Sequence, residues 1–208
     1  MSAFPGEGSI PEFLAALAAP ESPHGALAAA AVAGAMGASV LHRLWALPRS
    51  LPDDDNATVY VSAAAALVRI QEELLETVET QTAVKLFVAR SLPQANEAER
   101  ETRDRAIQVA MRAAADVPLE VMRLCERALH HANTLAGRLG RRPPPDAELA
   151  VALLEAAFNS ARSNLEARLP ILTDASQVAS IGEEIARLTN GASAASEGVR
   201  ALVRVPPT

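Results

Sequence analysis

The run from Ala26 to Leu47 constrains this chain more than any other feature. It is almost wholly apolar, is built mostly from alanine, and carries Gly34 and Gly37 within it and His42 and Arg43 near its end. The run is long enough to cross a bilayer. Alanine, however, contributes little to membrane insertion, and two glycines weaken an isolated helix. Both features suit a helix that lies against other helices at a distance only small side chains permit. The run is therefore predicted to be a buried helix, in a subunit core or at a two-fold interface, and no membrane partner is expected.

The rest of the composition agrees. The chain has 208 residues, 50% of them hydrophobic and only 3% aromatic, enough for one domain spanning 1–208 with a sizeable core. Alanine favours helix, whereas the aromatic and β-branched residues that favour strand are scarce. The net charge is −6, and Lys85 is the single lysine. That balance argues against nucleic acid or an anionic membrane surface as a partner. Cys125 is the lone cysteine, so no intrachain disulfide can form, and no Cys/His group has zinc-ligand spacing. The stretch Met1-Ser2-Ala3-Phe4-Pro5-Gly6 has neither a basic nor an apolar region of the kind a signal peptide needs. A cytoplasmic, all-α protein without a bound metal is expected.

The helices can be placed by periodicity and by proline. A short one starts at Pro11, with Phe13, Leu14 and Leu17 on one face, and is broken by Pro20 to Pro23. The second runs from His24 to Leu47 and the third from Thr58 to Leu92. A fourth follows Pro93, with Asn96 as cap, and runs to Ala115. Asp116-Val117-Pro118 marks a kink or a new start, because proline lacks the amide hydrogen the helix needs. The fifth spans Leu119 to Leu139. The loop Gly140-Arg141-Arg142-Pro143-Pro144-Pro145 precedes Asp146, which is placed to cap a sixth helix ending near Arg168. A last helix begins near Ser176. The architecture predicted is an antiparallel bundle of six or seven helices.

Three stretches together resemble one family. They are Phe13-Leu14-Ala15-Ala16-Leu17 followed by Ala33-Gly34-Ala35-Met36-Gly37-Ala38; Asp116-Val117-Pro118-Leu119-Glu120; and Asp146-Ala147-Glu148-Leu149-Ala150 with Asn164 about five turns on. Their order and spacing resemble the formimidoyltetrahydrofolate cyclodeaminase / methenyltetrahydrofolate cyclohydrolase family over nearly the whole chain. The resemblance implies a cyclodeaminase-like fold, a homodimer and a folate cleft near the subunit interface. It implies a tetrahydrofolate derivative as substrate or ligand, with no further cofactor. One branch of the chemistry eliminates ammonia from 5-formimidoyl-tetrahydrofolate to give the 5,10-methenyl form. The other hydrolyses the methenyl form to 10-formyl-tetrahydrofolate. Both need proton transfer at nitrogen and stabilisation of a charged tetrahedral centre.

The same resemblance nominates site residues, each with a plainer alternative. Asp146 matches an aspartate of the family and is otherwise a helix cap. His24 and Gly25 stand at the family's Pro-Gly-Gly-Gly-Ser loop, which here reads His24-Gly25-Ala26-Leu27-Ala28. His24 could supply an acid/base group in that loop or be a solvated turn residue. Glu79 aligns with a helical aspartate but sits among Glu72, Glu73 and Glu76, as a solvated face would. Asn164 is suited to bonding a pterin or a neighbouring helix, and Arg141 and Arg142 to contacting a polyglutamate tail or to lining a solvated loop. A second family asparagine is replaced by Arg168. His130-His131 reads as a response to the helix dipole. Because the loop has lost two glycines and its serine, weak or no turnover is expected. The alternative function is a catalytically degenerate family member, a dimeric helical binding or structural protein.

Overall fold

The structure, a computed structural model, describes residues 9–20, 25–45, 54–91, 100–138 and 143–204. In chain order it has α1 (Ile10–Ala18), α2 (Ala26–Trp45), α3 (Asp54–Ser91), α4 (Arg100–Arg138), α5 (Asp146–Glu166), a short 3-10 turn (Leu169–Ile171) and α6 (Ala175–Arg204). No strand occurs among the described residues. The all-α bundle predicted from periodicity is the fold observed.

The start of α1 follows its local sequence. Ser9 accepts a hydrogen bond from the Glu12 amide at 3.4 Å, and the Ser9 amide donates to the Glu12 carboxylate at 2.7 Å, a reciprocal capping box. Phe13 faces the core, but Leu14 is 58% exposed, so the three-residue apolar face expected for α1 is narrower. Asp174 begins α6 in a related way, accepting from the amides of Ser176 and Gln177 at 3.0 and 3.2 Å and from the Ser176 hydroxyl at 2.6 Å. These bonds, led by the hydroxyl, hold its carboxyl below the ordinary aspartate range.

α2 is the spine of the bundle. It packs against both α3 and α5, and Leu27, Ala28, Ala31, Ala38 and Leu41 are almost fully buried along it. Its apolar composition is accounted for by that burial. Gly34 lies where an added Cβ would stand 3.2–3.3 Å from Leu74, Ala157 and Cys125; at Gly37 it would stand 2.9 Å from the Ala150 carbonyl oxygen and from Leu154. Three helices therefore meet α2 at these two residues, tightly at Gly34 and closer than a side chain would allow at Gly37.

Two expectations are corrected. The fourth and fifth helices are one helix, α4, with Pro118 inside it. Proline removes one hydrogen bond and costs about 3 kcal/mol in a helix interior. Here Ala115, Val117, Leu119, Val121 and Met122 are buried on both sides of it, and that burial outweighs the loss. Asp146 is the first residue of α5 rather than its cap. The cap position is Pro145 with no side-chain bond, and the Asp146 carboxylate instead accepts from Arg43 at 2.5 Å. A proline at the cap has no side-chain acceptor to offer, and the guanidinium across the helix pair is the stronger partner.

Packing at the two glycines generates a test. Gly37→Ala should lower the melting temperature, because overpacking costs about 1–3 kcal/mol against the roughly 1 kcal/mol that alanine gains over glycine in a helix. Gly34→Leu should lower it further. Gly182→Ala, where nothing lies within 4 Å of the added carbon, should raise it. Thermal melts of the three variants decide this, and an unchanged melting temperature for Gly34→Leu would remove the close-packing account. Burial also pushes the Cys125 thiol up to about 12, so alkylation should occur only after unfolding. Rapid labelling of the native protein would contradict that placement.

Candidate functional site

The helix register decides which predicted residues can meet. α2 runs antiparallel to α3 and to α5. At one end, the His42 ring donates to the Ala64 carbonyl oxygen at 3.1 Å and Arg43 pairs with Asp146 at 2.5 Å. Midway, Gly34 faces Leu74 and Ala157. Continuing in the same direction brings the start of α2, with Gly25, to the end of the bundle that holds the later turns of α3 and the last turn of α5. Glu79 and Asn164 belong to that end. Asp146 does not, because the eighteen-residue separation from Asn164 along α5 is about 27 Å at 1.5 Å per residue. One subunit therefore cannot place Asp146 in a common site with Gly25 and Asn164. His24, Arg141 and Arg142 lie outside the described residues.

At the Gly25 end, the expected glycine cradle is occupied by helix. The Gly25 carbonyl accepts from the amides of Ala28 and Ala29 at 2.9 and 3.2 Å, which starts α2. Leu27 and Ala28 are 2% and 0% exposed, so the side chains at two former loop positions fill core, whereas Ala26 faces outward. Two buried acceptors toward this end of the bundle have no hydrogen-bond partner among the described residues. They are the Gln81 side-chain oxygen, on a residue only 6% exposed, and the Asn164 side-chain oxygen. An unpaired buried acceptor costs about 1–3 kcal/mol, and each is a place for a ligand's N–H. Arg168, where a second asparagine was expected, donates to the Asn164 carbonyl at 2.6 Å. Its burial lowers its pKa from the ordinary arginine value. Glu79 is exposed on α3, in keeping with its solvated alternative.

Open space lies elsewhere, along the seam between α3 and α4. The half nearer the Gly25 end is a cleft of about 580 Å³. Its α3 wall carries Glu73, Glu76, Thr77 and Thr80, and its α4 wall Asp116, Val117 and Glu120. Arg123 also lines it, but its charge is committed. Arg123 donates to Glu184 on α6 at 2.8 and 2.9 Å and to Glu120 at 3.1 Å. The Glu184 bonds, first among the causes, raise the Arg123 pKa and hold Glu184 below the ordinary glutamate range. The cleft is therefore acidic, with hydroxyls at hand. Its residues were not nominated from sequence as site residues. Asp116 and Glu120 stand four apart on one helix face, and Glu76 and Thr80 do so on another. Only the packing of α3 on α4 shows that the two faces oppose each other.

The residues that position this site extend over most of the chain, and the comparisons with known proteins cover the same span. The family model of formiminotransferase-cyclodeaminase matches residues 9–187. No curated protein matches the chain in sequence. Among solved structures, the chain is similar to formiminotetrahydrofolate cyclodeaminase from Thermotoga maritima. The TM-score is 0.82 at 19% identity, over 95% of this chain and 96% of that one. That likeness carries the fold, and the family match carries the assignment: the chain belongs to the formiminotransferase-cyclodeaminase family.

Proposed function

We propose that the protein acts in one-carbon folate metabolism, converting 5-formimidoyl- or 5,10-methenyl-tetrahydrofolate at the acidic α3–α4 cleft. The observation that carries this reading is the charge of that cleft. The protonated formimidoyl group and the methenyl bridge are both cationic carbons between nitrogens, and Glu76, Asp116 and Glu120 line the cleft with carboxylates. Cations of that kind are stabilised by fixed negative charge placed close to them.

The chemistry then needs only proton transfer. In the elimination, the second folate nitrogen attacks the formimidoyl carbon and loses its proton to a carboxylate. The tetrahedral carbon then expels ammonia as the amine nitrogen takes that proton back, leaving the methenyl cation. In the hydrolysis, water adds to the methenyl carbon while a carboxylate accepts one of its protons; the resulting hydroxyl then gives up its proton as the carbonyl forms, and the departing nitrogen takes up a proton as its bond to that carbon breaks, leaving the formyl product. Glu120 and Asp116 are the groups assigned to these transfers. The buried Leu27 leaves no glycine cradle at the start of α2, and losing a preorganised contact costs on the order of a hundredfold. Turnover is expected to be slow for that reason.

The same reading makes the protein a homodimer. Met36 is 54% exposed and Leu149 55%, and Val32, Ala33 and Val40 are half-buried on the same side of α2. This outer face of α2 and α5 is the surface assigned to the two-fold contact. Light scattering should give a dimer that Met36→Glu converts to monomer, and a native monomer at micromolar concentration would reject the assignment.

Catalysis is tested by following the methenyl chromophore. Native protein should show slow, saturable turnover and a raised melting temperature with a reduced folate. Asp116→Asn or Glu120→Gln should cut the rate by roughly a hundredfold or more, the size of a general acid–base contribution. Saturable binding without turnover would establish the degenerate alternative. No thermal shift with any reduced folate would overturn the proposal.

A further inference from the structure

The other half of the α3–α4 seam has the opposite chemistry. There a second cavity of about 580 Å³ is bounded by Arg69, Arg127, His130 and His131, with Glu73 as its one carboxylate. Such a gathering of basic groups is notable in a chain of net charge −6. Arg127 is partly committed, since it donates to Glu73 at 2.5 Å. Arg69 has no ion-pair partner among the described residues and is exposed at the cavity's edge. His131 is half-buried and lines the same space, and a neutral imidazole carries one ring N–H. Its burial, then His130 and Arg127, lower its pKa from the ordinary value, which keeps the ring neutral near pH 7 and leaves Arg69 as the uncommitted charge.

The walls complete the picture. The hydroxyls of Ser62 and Thr134 lie on facing helices, and Ala63, Ala66 and Ile70 give an apolar floor. A guanidinium, an imidazole and two hydroxyls around a small apolar floor recognise an oxyanion on a short hydrocarbon body. A cationic ligand fits the acidic half of the seam and is repelled here.

We propose that this cavity is a second binding site, for a small organic anion bearing a carboxylate or a phosphate, with Arg69 as its main contact and His131, Ser62 and Thr134 as hydrogen-bond donors. The site adjoins the folate cleft, sharing Glu73 as a wall residue, and the assignment holds whether or not that cleft is active.

The test uses the folded protein alone, without folate. The ring C–H resonances of His130 and His131 are followed by NMR during titration with succinate, with glycerol phosphate and, at matched ionic strength, with chloride. Saturable shifts with succinate or glycerol phosphate, but not chloride, are expected, and the stronger of the two names the anion. Arg69→Gln should weaken that binding roughly tenfold or more, the loss of one charge-assisted contact, with an unchanged melting temperature. Arg43→Gln, outside the cavity, should leave it unaltered. Shifts that follow chloride equally, or full affinity in Arg69→Gln, would overturn the site.

Discussion

The close approach of α2 to its neighbours at Gly34 and Gly37 is the constraint from which the rest of this structure follows. With no side chain at either position, the Ala150 carbonyl, Leu154, Leu74 and Cys125 come against the α2 backbone itself. A contact that short admits little sliding, because moving one helix by a residue would bring a Cβ into the same space. The register of α2 with α3 and α5 is thereby set. That register brings Gly25, Gln81 and Asn164 to one end of the bundle and leaves Asp146 at the other.

Burial of α2 has a second consequence. With α2 and α5 packed on one another, charged and hydroxyl side chains line the open edge of the seam between α3 and α4. Arg127 ties to Glu73 across that seam, and Arg123 ties to Glu184 on the far side of α4. Both pairs are part-exposed and contribute little to stability. Their effect is on the electrostatics of the space beside them. Arg123 is spent on two carboxylates, so the half of the seam near the Gly25 end stays acidic. Arg69 has no ion-pair partner among the described residues, so the other half stays basic. One helix pair thus offers two cavities of similar volume and opposite sign.

Much of this was legible in the residues. The alanine-rich run forms a buried helix, and the two glycines mark a close contact. Family membership followed from three motifs in order. The break at Pro118 did not follow, because a proline's local cost is visible in sequence while the burial that offsets it on both sides of α4 is not. Asp146 was misplaced for a similar reason. An acidic residue at a helix start reads as a cap, but its partner, Arg43, lies about a hundred residues away in the chain and comes close only through the α2–α5 register. His130-His131 was read as a local response to the helix dipole, and its role as a cavity wall needs α3 beside it.

By itself, the sequence determined the helices, their approximate ends, the small-residue face of α2 and the family. These are properties of residues near one another in the chain, governed by periodicity, capping and side-chain size. The tertiary structure alone decided which side chains share a site. It put Leu27 into the core at the place of a glycine cradle, separated Asp146 from Asn164, and turned two polar stripes of ordinary helical spacing into opposed acidic and basic cavities. The physical reason is that a site is made by residues far apart in sequence, and their distance is set by the packing of whole helices rather than by any local preference.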